Sequence, residues 1–152
     1  MWSVRKILVA SDFSEPSKSA LAAAVELAKR FDACIVLMHA YQPIVTAYPV
    51  APLMSAQELS AALAEAATKA LQAAVASTRN AVPITTALYV GAPWDQILKA
   101  AKDQEADLIV MGSRGLHGLQ RALLGSTAER VTRYAKAPVM IFHGPASEEA
   151  GA

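Results

Sequence analysis

The residues best suited to chemistry are concentrated between Gly112 and Thr127. There Gly112, Gly115, Gly118 and Gly125 punctuate a run that also holds Ser113, Arg114, His117, Ser126 and Thr127. Glycine lets backbone amides approach a ligand with no Cβ in the way. Gly125, Ser126 and Thr127 stand where a helical pattern begins, so they offer unpaired N–H groups, hydroxyls and about half a positive charge of helix dipole. Together these make a phosphate cradle. A lone glycine pair is more often loop punctuation. The cradle reading gains here because the glycines follow an apolar strand-like run, precede a helix and have hydroxyls at its cap.

A second candidate is Ser11-Asp12-Phe13-Ser14, after the first apolar run. Asp12 has three available roles: bonding a ligand, capping the next turn, or helping to hold Mg2+, of which the first two are the more economical. Two common phosphate motifs are excluded in their usual form. A Walker loop needs Gly-x4-Gly-Lys-Ser/Thr, and no lysine lies between Gly112 and Arg130. The dinucleotide fingerprint would follow the first strand, where there is no glycine. Fast phosphoryl transfer requires a metal, a positioned nucleophile and a cation on the developing charge, and no second acid–base group accompanies Asp12. The three histidines and Cys34 lack metal-ligand spacing. His39 and His143 are read as core or edge histidines, Trp2 and Trp94 as packing residues, and Cys34 as a buried thiol.

The elements that position these residues follow from two alternating patterns. Val4 to Ala10 reads as a strand, and Ser14-Glu15-Pro16 then offers an N-cap with proline in the first turn of a helix to about Phe31. Cys34 to Ala40 is a second strand, followed by a proline-punctuated loop from Tyr41 to Met54. Ser55 to about Arg79 is a long helix with Leu59, Leu63, Ala67, Ala70, Leu71, Ala74 and Val75 on one face and a Glu65–Lys69 pair. Val82 to Tyr89 is a third strand, Pro93 to about Asp103 a helix, Leu108 to Met111 a fourth strand, Ser126 to about Lys136 a helix, and Val139 to Phe142 a fifth strand. Short strands apolar on both faces, separated by helices, predict a mostly parallel α/β sheet covered on both sides. Such sheets bind ligands beyond the carboxyl ends of their strands, where both candidate loops lie.

Composition narrows the partners. The chain has 152 residues, 54% of them hydrophobic, but 33 are alanine, a helix former before it is a core filler. The longest stretch without Asp, Glu, Lys or Arg, Ala33 to Gln57, is broken by Pro43, Pro49 and Pro52, so no helix of about 20 apolar residues fits there. The apolar run after Arg5 and Lys6 is too short for a signal peptide, and a cytoplasmic protein without membrane partners is expected. A net charge of +1 gives no field to gather nucleic acid. Length predicts one domain, residues 1–143, with 144–152 a disordered tail.

The spacing Gly112-x2-Gly115-x9-Gly125-Ser126 resembles the mark of the nucleotide-binding branch of the universal stress protein family. Lys6 to Ser14, Val36 to Ala40, Asp107 to Gly112 and Ala137 to Ile141 are similar to that family's other motifs, so the likeness spans about residues 4 to 142. It implies a Rossmann-like, adenine nucleotide alpha hydrolase-like fold: five parallel strands in the order 3-2-1-4-5. It also implies ATP, AMP or ADP as ligand. Adenosine would lie by Ala10, Asp12 and Ala40, and ribose and phosphates along Met111, Gly112, Gly115, Gly125, Ser126 and Thr127. Ala40 stands where the family commonly has a larger aliphatic residue. Arg114 and His117 fall in a variable stretch, and their phosphate contact is inferred from charge alone.

The expected function is a nucleotide-dependent stress-response regulator. Two further readings compete: a slow ATPase or phosphotransferase using the same pocket, and a nucleotide-independent adaptor. The family order puts Val139 to Phe142 at a sheet edge, whose exposed backbone invites pairing with a second copy, so a homodimer is expected.

Overall fold

A computed structural model describes residues 1–43, 55–114 and 124–144. The described elements are β1 (Lys6–Ala10), α1 (Glu15–Phe31), β2 (Cys34–Tyr41), α2 (Ala56–Ser77), β3 (Ile84–Val90), α3 (Pro93–Asp103), β4 (Leu108–Gly112), α4 (Ser126–Tyr134) and β5 (Val139–Phe142). They form a five-stranded parallel sheet in the order β3-β2-β1-β4-β5, as expected from the sequence. No described helix is long and apolar enough to cross a membrane.

Side chains alternate across a strand, and β1 divides the core accordingly. Ile7 and Val9 pack with Ala20, Leu21, Ala24, Val25 and Ala28 of α1 and Leu71 of α2. Leu8 and Ala10 pack on the other side with Ile97 and Ala100 of α3 and Ala128 and Val131 of α4. Ile7, Leu8 and Val9 are fully buried, each burial being worth about 1.5–3 kcal/mol. The alanine-rich stripe of α1 lets that helix lie close to the central strand. Asp107, at the start of β4, secures the other end of β1: its Oδ2 accepts from the backbone N–H groups of Arg5 and Lys6 at 2.8 and 2.9 Å.

Local chemistry sets the helix ends. Ser14 caps α1, with Pro16 in the first turn, and Asp32 closes it in a left-handed conformation at φ 54°. Ser55 and Glu58 form a reciprocal capping box at α2, and the Glu65–Lys69 pair forms at 2.8 Å. That helix stops at Ser77, short of Arg79, because Arg79 and Asn80 both adopt positive φ and reverse the chain. Its inward face is only partly buried: Ala67 and Leu71 are enclosed, whereas Leu59 and Leu63 remain half-exposed. Helix α4 ends at Tyr134 rather than Lys136, since Ala135 turns extended (ψ 140°) on the way to β5.

Two bland expectations need correction, those for Cys34 and Trp2, and the one for Trp94 as a packing residue agrees with the structure. Cys34 is partly exposed, because it is the first residue of β2 rather than an interior one. Trp2 is 61% exposed and does not pack in the core; it precedes the first strand, where no neighbouring layer covers it. Trp94 is half-buried against the α3/α4 side of the core, with the Arg130 guanidinium 5.3 Å from its ring centroid.

Candidate functional site

The carboxyl ends of β1, β2 and β4 open onto a cleft of about 610 Å³, part of it continuous with solvent. Its apolar wall comes from Ala10, Met38, Ala40, Met111 and, from α3, Ile97; its polar groups include Asp12, Arg114 and Thr127. Ala10, Met38 and Ala40 stand on the sheet face that packs against α3 and α4. The cleft is therefore the top of that core layer, left open where the strands end.

The loop from β1 to α1 aims Asp12 at this cleft. Oδ1 of Asp12 accepts from the N–H of Ser14 at 3.0 Å and also from the Ser14 hydroxyl. This closes an Asx turn and leaves Oδ2 with no bond from any described residue. Phe13 sits at φ 65°, a left-handed conformation that costs a bulky residue about 1–3 kcal/mol. The neighbouring bonds hold it there: the N–H of Phe13 donates to Oγ of Ser11 at 3.1 Å, and the N–H of Ser11 to the carbonyl of Met38 at 2.9 Å.

Opposite lies the N-terminus of α4. Gly125 is its cap residue, with extended φ and ψ and no side-chain cap bond. The first helical bond runs from the N–H of Glu129 to the carbonyl of Gly125 at 2.9 Å, so the N–H groups of Ser126, Thr127 and Ala128 have no partner within the helix. Gly125 is tied to the β4 loop by its own N–H, which donates to the carbonyl of Ser113 at 2.8 Å. A Cβ at Gly125 would come within 3.1 Å of that oxygen. The hydroxyl of Ser113 is buried with no hydrogen-bond partner among the described residues. Chemically the cleft combines an apolar slot, a carboxylate at one side, and at the other an arginine and backbone donors that have no partner among the described residues.

The structure brings Ala10, Asp12, Ala40, Met111, Gly112, Arg114 and Thr127 to one cleft. Gly125 adjoins it as the cap of the helix that carries Thr127. Ser126 lines a neighbouring shallow depression with Trp94, Arg130 and Tyr134. Gly115 and His117 lie outside the described residues, as do most of the Tyr41–Met54 loop and the tail beyond Gly144. Ser11, in the candidate loop after the first strand, lines the cleft without having been assigned a role, and sequence reasoning missed Ser17, Met38, Pro93 and Ile97. Two of these carried a usable signal: Met38 shares a strand face with Ala40, and Ile97 lies one helical turn after Pro93. His39 faces the other side of the sheet, with Nδ1 2.7 Å from the Ser11 carbonyl, and His143 is exposed beyond β5. Among the described residues no three His, Cys, Asp or Glu side chains converge as metal ligands. Asp12 is the one carboxylate on the described wall of the cleft.

Comparison with known proteins agrees with this architecture. Residues 3–143 match the profile of the universal stress protein family. Universal stress protein MJ0531 of Methanocaldococcus jannaschii is 36% identical over 146 residues, covering 95% of this chain and 85% of that protein. The solved structure of the hypothetical protein MJ0577, from the same organism and also named a universal stress protein, superposes with a TM-score of 0.79. It is 27% identical, with 92% of this chain and 96% of that one covered. A universal stress protein solved in complex with cAMP gives a TM-score of 0.69 at 28% identity, covering 93% of this chain and 98% of that one. A matching profile along nearly the whole length, on the same sheet, places the chain in the universal stress protein family.

Proposed function

We propose that this universal stress protein binds ATP or another adenine nucleotide in the cleft and acts as a nucleotide-dependent stress-response regulator. The observation that carries the reading is the pairing of an apolar slot with the uncapped N-terminus of α4 across a single cleft. The base occupies the slot formed by Ala10, Met38, Ala40, Ile97 and Met111. Asp12 accepts from ligand hydroxyls, and the phosphates meet the N–H groups of Ser126 and Thr127, their hydroxyls and Arg114. The cAMP complex of a relative supports an adenine ligand for this class of fold.

Magnitudes are compatible with this reading. Micromolar binding corresponds to about 8 kcal/mol, and a hydrogen bond to a charged group contributes about 1.5–3 kcal/mol. Three to five donors with burial of the base therefore suffice without a Walker lysine. Where Mg2+ accompanies the nucleotide, Asp12 and the phosphates are its available oxygen ligands. The protein works as a homodimer through β5, the edge strand of the described sheet, where Met140 is 36% exposed.

Calorimetry with ATP on nucleotide-stripped protein tests the binding step. The wild type is expected to bind at micromolar concentration, and Gly125→Asp to lose binding, because its side chain meets the Ser113 carbonyl and adds negative charge at the cradle. A wild type that does not bind ATP, or a variant that binds it equally well, would sink the reading.

A further inference from the structure

Asp12 reaches the cleft from a turn that one side chain of another strand grips on both sides. Nδ1 of His39 lies 2.7 Å from the carbonyl oxygen of Ser11, the residue before Asp12. The ring centroids of His39 and Phe13, the residue after Asp12, are 4.6 Å apart, with the planes tilted by 35°. A carbonyl only accepts, so Nδ1 carries the proton in that bond. His39 does not line the cleft. It stands behind the loop, on the sheet face shared with Ile35 and Leu37.

The grip matters because Phe13 holds a left-handed φ of 65°, which a bulky residue leaves when nothing opposes it. Relaxation at Phe13 would rotate the peptide that joins it to Asp12. It would also break the Asx turn in which Oδ1 of Asp12 accepts from Ser14. The amide of Ser11 donates to the Met38 carbonyl on β2 and its hydroxyl accepts from the N–H of Phe13; the carbonyl that leads into Asp12 is fixed by His39.

We propose that His39 is a positioning residue for ligand recognition: its Nδ1–H to the Ser11 carbonyl and its ring contact with Phe13 hold the strained turn that aims Asp12 into the cleft. The consequence for affinity rests on the adenine-nucleotide reading above; the bracing itself does not. The donor at Nδ1 is what acts, so a side chain with an N–H at that place, such as asparagine, restores part of the effect, whereas an apolar side chain of similar volume does not.

Two measurements on the full chain test this and keep it apart from the nucleotide reading. Amide hydrogen exchange of nucleotide-free protein reports the turn at Phe13 and Ser14, and calorimetry reports ATP affinity, for wild type, His39→Leu and His39→Asn. Losing one hydrogen bond and one ring contact predicts roughly tenfold faster exchange at these two amides and roughly tenfold weaker ATP binding in His39→Leu. Exchange at Ile109 and Val110 of β4 should stay unchanged, and His39→Asn should recover part of both losses. Unchanged exchange at Phe13 and Ser14 in His39→Leu overturns the proposal. So does unchanged affinity in that variant when the wild type binds, or an Asn variant as impaired as Leu. Faster loop exchange in His39→Leu together with no ATP binding by the wild type upholds the bracing and strikes the nucleotide reading alone. If His39→Leu also exchanges faster throughout β4, Phe13→Gly decides. Glycine accepts the left-handed φ without strain, so in that background the turn needs no brace: a loss of ATP affinity from His39→Leu that is much smaller with Phe13→Gly than without it supports the proposal, and an equal loss overturns it.

Discussion

A Cβ placed on Gly112 would lie 2.8 Å from Cβ of Pro16 and 3.0 Å from the backbone N of Ser17. The end of β4 and the first turn of α1 thus touch through the one position where β4 has no side chain. The first glycine of the loop that reads as a phosphate cradle is required by helix-to-strand packing before any ligand arrives. Gly112→Ala is expected to destabilise the free protein by about 1–3 kcal/mol, the usual range for an overpacked methyl group. The neighbouring atoms are proline and backbone and cannot swing away. Urea unfolding checks this; a loss below about 0.5 kcal/mol, within the ordinary range of surface substitutions, would show that the contact yields.

The buried hydroxyl of Ser113 leads to the opposite expectation. It makes no hydrogen bond among the described residues, so Ser113→Ala removes a desolvated group without orphaning a partner. The change should be neutral or stabilising by up to about 1 kcal/mol. A loss greater than about 1 kcal/mol in the same unfolding measurement would reveal a partner in the segment 115–123.

The capping box of α2 should depend on acid. The N–H of Ser55 donates to Glu58, which lowers the pKa of that carboxyl below its ordinary 4.5, with a smaller lowering from the Ser55 side chain. A depressed folded-state pKa contributes stability above the unfolded value, and that contribution is lost as pH falls through the folded value. Amide exchange at the first turn of α2 should therefore accelerate relative to mid-helix amides as pH drops below about 4.5, after correction for intrinsic rates. In Glu58→Ala the first turn should already be frayed at neutral pH and show no such step. The same acid step in Glu58→Ala would assign it to another group.

The β5 edge supplies a test of the proposed homodimer. Met140→Asp puts a charge on an exposed edge residue that pairing with a second copy would bury, and burial of an unpaired carboxylate is strongly unfavourable. Sedimentation should show a wild-type dimer at micromolar concentration and a shift to monomer in the variant, with at least about tenfold weaker association. A monomeric wild type would end the dimer proposal, and an unchanged dimer in the variant would move the interface elsewhere.

Much of this arrangement can be read from residue order alone. Apolar runs such as Ile7 to Ala10 and Leu108 to Met111 must be strands buried on both faces, and the stripe of Ala20, Ala24 and Ala28 must face one of them, because periodicity records which side chains avoid water. The spacing of Gly112, Gly115, Gly125 and Ser126 marked the strand–loop–helix junction for the same reason: backbone chemistry is local. The resemblance to a known family supplied the strand order, which periodicity does not contain.

What residue order left open are relationships between distant parts of the chain. Leu59 and Leu63 have the spacing of an inward face, yet they stay half-exposed: α2 packs on β2 and β3 at the sheet edge, and among the described residues little covers its first turns. Gly112 lines the cleft, and only the fold shows that Pro16, far away in the chain, also packs against it. His39 looked like one more strand residue, and only the fold sets its ring against the turn that carries Asp12. A sequence determines how each segment partitions between water and an apolar layer. Only tertiary structure decides which neighbour supplies that layer, because contacts between segments depend on how the helices and strands pack in three dimensions.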